Sequence, residues 1–208
     1  MSRPAWRIAT YTPSYEADDL SSAGAKATGG RWNSPGVPIV YSSQTRALAC
    51  LETVVHLGAG GLPLNRYLVR VDIPDAIWAA ARHETAATLP VGWDAEPAGR
   101  ASIAFGSAWI QASSSALLVV PSVIVPEEFN VLINPQHPDG AQISATKLRR
   151  WLYDQGWQGR FERALAPTML APSPSWKAPE RDVAIPASPT RTRERPASRL
   201  CQALAKAR

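Results

Sequence analysis

Two glycines, an arginine and an apolar run come together in GGRWNSPGVPIVY, residues 29–41. Glycine lets backbone approach a ligand closely, and Arg31 is a planar, permanently charged fork whose donors match a phosphate. A Gly-rich turn carrying a surface arginine would look the same in isolation. Eleven residues after Tyr41, Glu52 stands among Ala49, Cys50, Leu51, Val54 and Val55. A carboxylate in such apolar company lies either on the solvent edge of its element or at a site that needs an anion. Tyr41 closes its own run, so the elements on either side can present Tyr41 and Glu52 to one cleft, although a lone tyrosine there is more often core. In residues 117–139, LLVVPSVIVPEEFNVLINPQHPD, Pro121 and Ser122 interrupt two β-branched runs. Proline inside such a run argues for an edge or a bulge, which re-aims a small hydroxyl such as Ser122 toward a site or toward a nearby backbone group. Asn130 and Asn134 bracket the strand that follows and read equally as turn residues.

The elements that must position these groups are strand-like runs at Val37–Tyr41, Tyr67–Ile73, Leu117–Val125 and Asn130–Asn134, bounded by Gly, Pro and Asn. Between the first two, Thr45–Leu57 places Leu48, Leu51, Val54 or Val55 and His56 at helical spacing, with Ser43 or Thr45 as the N-cap. A weaker helix is predicted over Ala98–Gln111, with Ile103 and Trp109 on its apolar side. The expected class is α+β, a mixed or antiparallel sheet with helices packed on it.

A chain of 208 residues with 45% hydrophobic content can bury one full core. No apolar run approaches the roughly 20 residues of a membrane-spanning helix, and MSRPAWRIAT lacks the basic-then-apolar layout of a secretory signal, so the expected compartment is the cytoplasm. Cys50 and Cys201 sit in unrelated contexts, and His56, His83 and His137 have no metal-ligand spacing, so no metal is expected. The net charge of +5 suggests an anionic partner until it is located. Residues 1–155 carry 12 Lys and Arg against 13 Asp and Glu, net −1, whereas residues 156–208 carry 10 against 4, net +6. The excess lies in a tail with seven prolines, which reads as largely extended, with helical pieces at most over Arg160–Ala166 and Ala197–Lys206. A nucleic-acid-binding domain would carry its basic stripe on the folded part.

Taken in order, WRIA, GGRWNSPGVPIVY, ALACLETVVHL, YLVRVDIP, GSAWI and VPSVIVPEEFNVLINPQHPD resemble the RES domain, a family named for its Arg, Glu and Ser. The resemblance spans residues 6 to about 154. It departs from the family at LRRWLYDQGW, where members close on an aromatic-Asp-Pro-Arg-Leu segment, and the tail is unlike the family. It implies Arg31, Glu52 and Ser122 as the name-giving residues, with Tyr41 as their aromatic partner and Arg7 and Asn134 as further contacts.

The family resembles the ADP-ribosyltransferase toxins, which implies a split β-sheet with packed helices around an NAD⁺ cleft. The implied layout is a RES domain over residues 1–155 and an appended tail over 156–208. NAD⁺ would be the substrate, with Glu52, Arg31 and Tyr41 catalytic and Arg7, Arg31, Tyr41, Ser122 and Asn134 binding it. An Xre-type helix-turn-helix antitoxin is the implied partner, and nucleic acid would be reached only through it. The expected outcome is destruction of NAD⁺ by hydrolysis or phosphorolysis. The alternative is mono-ADP-ribosylation of a cellular protein such as phosphoribosyl pyrophosphate synthetase. A third reading, a non-catalytic nucleic-acid-binding module, would tie function to the basic tail instead of Glu52.

Overall fold

The computed structural model of the chain describes residues 1–55 and 63–154. Seven strands form one sheet: β1 Ser2–Thr10, β2 Val40–Ser43, β3 Arg66–Pro74, β4 Arg82–His83, β5 Leu117–Pro121, β6 Phe129–Ile133 and β7 Ser144–Arg150. Among the described residues four α-helices accompany them: α1 Ala23–Thr28, α2 Arg46–Val54, α3 Asp75–Ala79 and α4 Arg100–Ala112. The sheet order is β4-β5-β6-β2-β1-β3-β7, antiparallel except between β4 and β5.

One junction in that order is weak. β1 pairs with β3 along all nine residues, from Ser2 opposite Pro74 to Thr10 opposite Arg66, yet it meets β2 through the single pair Trp6 and Ser43. The sheet is therefore nearly split into β4-β5-β6-β2 and β1-β3-β7, the α+β split-sheet architecture expected.

Side chains alternate across a strand, and here both faces are covered. One face gathers Ala5, Ala9, Val40, Val69, Val71, Val131 and Ile133 into a single cluster capped by Ile77 of α3. The other face is divided along the junction. Ile39, Leu118, Val120 and Leu132 pack under Trp109 and Ile110 of α4 together with Trp32 and Trp93. Trp6, Ile8 and Leu68 pack under Ala49 of α2. Strand β1 lies mid-sheet with both faces buried, so its sequence shows no alternation and no strand was expected there.

Several boundaries differ from expectation for local reasons. β2 begins at Val40 because Pro38 offers no N–H and the carbonyl of Ile39 is taken by Ser22 Oγ at 2.6 Å. β5 stops at Pro121 instead of reaching Val125. β4 pairs only with Leu118 and Val119, so Pro121 lies where that side of β5 has no ladder left to supply. α2 starts after Thr45, whose hydroxyl accepts from Leu48 N at 3.0 Å, while His56 and Leu57 lie outside the described residues. α4 buries Ser102, Gly106 and Ser107 as well as Trp109, leaving Ile103 half-buried. Small residues are needed there because a Cβ on Gly106 would stand 2.0 Å from the carbonyl oxygen of Trp32. β7 runs to Arg150, into the start of the segment that departs from the family, and the Trp151 N–H continues its pairing to Arg66 O at 2.8 Å. The two helices expected in the tail fall outside the described residues.

Candidate active site at the seam of the sheet

Beyond the pair Trp6 and Ser43, β1 and the chain entering β2 diverge and leave a wedge. A cavity of about 180 Å³ fills it, lined among others by Arg7, Thr10, Tyr15, Ser22, Tyr41 and Arg66. Arg7 follows Trp6 and so projects to the opposite face of the sheet from Trp6 and Ile8. Its guanidinium makes one long hydrogen bond, Nη1 to Asp19 O at 3.5 Å. Burial lowers its pKa, while the carboxylate of Asp19 and the phenol of Tyr15 act the other way. Arginine remains protonated through any such shift, so the cavity wall carries a positive charge with donors to spare. Arg66 adds a second guanidinium: it donates to Thr10 Oγ1, and its buried Nε has no partner among the described residues.

Helix α2 packs on β1 and also touches β2, and it carries Glu52 across the seam to Asn130 of β6 and to Ser122 in the turn after β5. Glu52 Oε1 accepts from Ser122 Oγ at 2.8 Å and from Asn130 Nδ2 at 2.5 Å. Neither donor is ambiguous. Ser122 Oγ accepts from Ile124 N at 3.0 Å and Val125 N at 3.2 Å in the turn that ends β5, so its hydrogen points to the carboxylate. Asn130 Oδ1 accepts from Ser43 Oγ at 2.7 Å, which turns its amide nitrogen toward Glu52. Ser43 and Asn130 are themselves a cross-strand pair. Tyr41 shares their face two residues earlier on β2, roughly 7 Å along the strand.

Tyr41 is an anchor as well as a wall of the cavity. Its hydroxyl donates to Asn33 Oδ1 at 2.6 Å and accepts from Trp32 N at 3.0 Å, closing the Gly30–Asn33 turn. Gly30 is needed there, since a Cβ would lie 2.7 Å from that hydroxyl. Burial pushes the phenol's pKa well above its usual value, against the opposing pull of the Trp32 N–H and the charge of Arg31. Arg31 is thus Tyr41's electrostatic neighbour. Its own fork reaches the opposite way, to Ala95 O at 2.8 Å, Trp93 O at 3.3 Å and Glu96 Oε2 at 2.7 Å. Trp32 stacks on Trp93 with centroids 6.2 Å apart, so the Arg31 turn and the 93–96 loop are fixed together.

Comparison with known proteins gives this arrangement a family. The RES domain description matches residues 4–156. The chain belongs to the RES domain family. It is 66% identical over 154 residues to a "Prs ADP-ribosylating toxin" of Sphingobium sp. (strain YBL2), covering 74% of this chain and 96% of that protein. It is 40% identical over 125 residues to a "Toxin Res" of Photorhabdus laumondii, covering 60% of this chain and 78% of that protein. Its fold is similar to the M. tuberculosis MbcT–MbcA toxin–antitoxin complex structure, with a TM-score of 0.50, 18% identity, and coverage of 71% of this chain and 85% of that one.

This RES domain brings Glu52 and Ser122 into direct contact, sets Arg31 beside Tyr41, and places Arg7 and Tyr41 on one cavity. Asn134 stands apart at the end of β6: its N–H pairs with Ala116 O, its Oδ1 caps Gln136 N at 2.9 Å, and its buried Nδ2 has no partner among the described residues. Sequence reasoning passed over Asn33 and Arg66, offered Ser43 only as an alternative N-cap where Thr45 is the cap, and left Asn130 as a strand bracket. Parity could have found Asn130, because it shares a face with Leu132, and a polar group at a core-facing position requires a partner. No group of three or more His, Cys, Asp or Glu able to hold a metal occurs among the described residues. No helix among them is long and apolar enough to cross a membrane.

Proposed function

We propose that this RES domain is a toxin that transfers ADP-ribose from NAD⁺ to a protein side chain. The observation that carries the reading is the Glu52 carboxylate, fixed at the seam by Ser122 and Asn130 on the same sheet face as Tyr41. Breaking the bond between nicotinamide and ribose develops positive charge on the ribose, and a preorganised anion stabilises that charge without reorganising. The bonding pair leaves with the ring nitrogen, which sheds its positive charge, so no general acid is required. A nucleophile of the acceptor then attacks the same carbon and loses a proton. Arg31 and Arg7 would hold the pyrophosphate. Tyr41, with its hydroxyl committed to Asn33 and Trp32, offers its ring face to the nicotinamide.

At about 180 Å³ the wedge is smaller than the roughly 300 Å³ at which ligand pockets usually begin. It takes a part of the dinucleotide, such as a ribose phosphate against Arg7 and Arg66, with the remainder lying across the seam toward Glu52.

A protein acceptor is favoured over water or phosphate because the relative that is 66% identical is named for ADP-ribosylating Prs. This reverses the order expected from sequence, in which net NAD⁺ destruction came first. The test is incubation with NAD⁺ labelled in its adenosine half, with and without phosphoribosyl pyrophosphate synthetase, following nicotinamide and labelled protein together. Nicotinamide release matched by labelled protein supports the transferase. Release without label returns the reading to hydrolysis or phosphorolysis, and no release from the folded protein overturns both.

A further inference from the structure

We infer that Ser43 and Asn130 are positioning residues for this reaction, a two-step hydrogen-bonded relay from β2 through β6 that fixes where the Glu52 carboxylate points. The inference rests on the function proposed for Glu52. The relay runs from Ser43 Oγ to Asn130 Oδ1 at 2.7 Å and from Asn130 Nδ2 to Glu52 Oε1 at 2.5 Å.

The fold has no need of this pair for itself. Asparagine is a poor strand former, and two facing polar side chains in a strand ladder can be exchanged for apolar ones of similar shape at little cost. The neighbouring serine supplies the contrast. Ser42 projects to the other face and satisfies a backbone carbonyl, Val131 O, at 2.6 Å, an ordinary structural use of a buried hydroxyl. Ser43 spends its hydrogen on the one atom that determines which end of the Asn130 amide meets the carboxylate. If that amide turned over, its oxygen would face the carboxylate and push it away.

The relay starts at the seam. Ser43 is the β2 residue that pairs with Trp6 of β1, so the hydroxyl that orients Asn130 sits on the single link between the two halves of the sheet. Glu52 is referenced to that link from above by α2, whose Ala49 packs on β1, and from below through Asn130. Its third support, Ser122, comes from the turn after β5. A carboxylate held from β6, from that turn and by its own helix cannot follow one of them without the others.

The charged and titratable groups around α2 are Arg46, held 3.9 Å over Trp6, Glu128, taken by Thr45 Oγ1 at 2.7 Å, and Cys50, with Tyr153 from the segment after β7. From β1 and the β2 side come Arg7, Tyr41 and Arg31. All of these are unchanged in the variants below.

The experiment measures nicotinamide release by the full chain for Ser43→Ala, Ser43→Thr, Asn130→Ala, Asn130→Asp, Ser42→Ala and Glu52→Gln, each with a melting curve and a pH profile. Asn130→Ala lowers kcat about 10²-fold with KM for NAD⁺ little changed, because a displaced carboxylate weakens only the transition state. Ser43→Ala loses about tenfold in kcat, and Ser43→Thr, which keeps the hydroxyl, restores it. Asn130→Asp sets two carboxylates within hydrogen-bond reach, where they share a proton, so the acid limb of the rate profile moves to higher pH. Ser42→Ala lowers the melting temperature without touching kcat. Ser43→Ala and Asn130→Asp carry the test if Asn130→Ala fails to fold. Wild-type kcat and an unmoved acid limb in both, while Glu52→Gln is inactive, overturn the relay and leave the function standing. Wild-type turnover by Glu52→Gln overturns the function, and the relay with it.

Discussion

Ser122 Oγ donates to Glu52 Oε1 at 2.8 Å across 70 residues of chain, from the turn that ends β5 to the last turn of α2. Two of the three residues that the family resemblance implies as name-giving thus form one hydrogen-bonded unit, while the third, Arg31, is an electrostatic neighbour of Tyr41.

Replacing Glu52 with glutamine keeps an oxygen that accepts from Ser122 and Asn130, so the melting temperature of Glu52→Gln stays close to wild type. The charge facing the developing ribose cation is lost, and turnover falls by about 10² to 10³. Nicotinamide release and a thermal melt on the same preparation check both halves.

Arg31 is only 18% exposed, but its carboxylate partner Glu96 is 78% exposed. An ion pair with one member in solvent is worth about 0 to 1 kcal/mol. If NAD⁺ phosphates take the Glu96 position, Glu96→Gln removes a competitor and lowers KM for NAD⁺ by up to about fivefold. Stability changes little, because the carbonyls of Trp93 and Ala95 still hold the guanidinium. Arg31→Ala loses all three contacts, so both the melting temperature and NAD⁺ affinity fall. An unchanged KM in Glu96→Gln would show that phosphate does not bind where that carboxylate sits.

Tyr41→Phe separates the ring from the hydroxyl. Asn33, only 1% exposed, and the Trp32 N–H lose their partner, a cost of about 1 to 3 kcal/mol in denaturant unfolding. Turnover drops by less than the roughly 10² to 10⁴ that a general acid–base role would entail. The phenol's raised pKa sets the pH dependence. The unfolded chain ionises Tyr41 near pH 10, the folded protein only above that, so between the two values the folded state binds more protons. Its stability is full below about pH 10 and declines as pH rises beyond it. Tyr41→Phe lacks this part of the decline, and urea midpoints compared from pH 8 to 11 read the difference.

How much of this was legible in the sequence follows from what each residue needs. Thr45 could be read as a cap because capping is local, and Ser122 could be read as displaced because Pro121 announces a broken ladder. β1 was invisible as a strand, since burial on both faces erases alternation. Asn130 resembled a turn residue because its parity with Leu132 counts only once the strand's faces are known. Arg31 was read as a free fork; its partners lie 62 to 65 residues away in a loop whose approach depends on Trp32 stacking against Trp93.

The last prediction concerns restraint. An enzyme that spends NAD⁺ on a protein of its own cell must be held in check there, and the family resemblance implies a helix-turn-helix antitoxin as the means. Two anion sites are available to such a partner, the Arg7 and Arg66 wall of the cavity and the Arg31 fork, whose carboxylate partner Glu96 is solvent-exposed. A terminal segment of the partner that places a carboxylate on either site would occupy the position of an NAD⁺ phosphate. Inhibition is then competitive: the apparent KM for NAD⁺ rises with partner concentration, and kcat returns at saturating NAD⁺. Expression of the chain alone should arrest growth, co-expression of the partner should restore it, and Glu52→Gln should be tolerated alone while still co-purifying with the partner, since its charge is not part of the anion sites. The toxin reading fails if the folded wild-type chain is harmless when expressed by itself. A partner that lowers kcat with KM unchanged would instead place its contact away from both arginine sites.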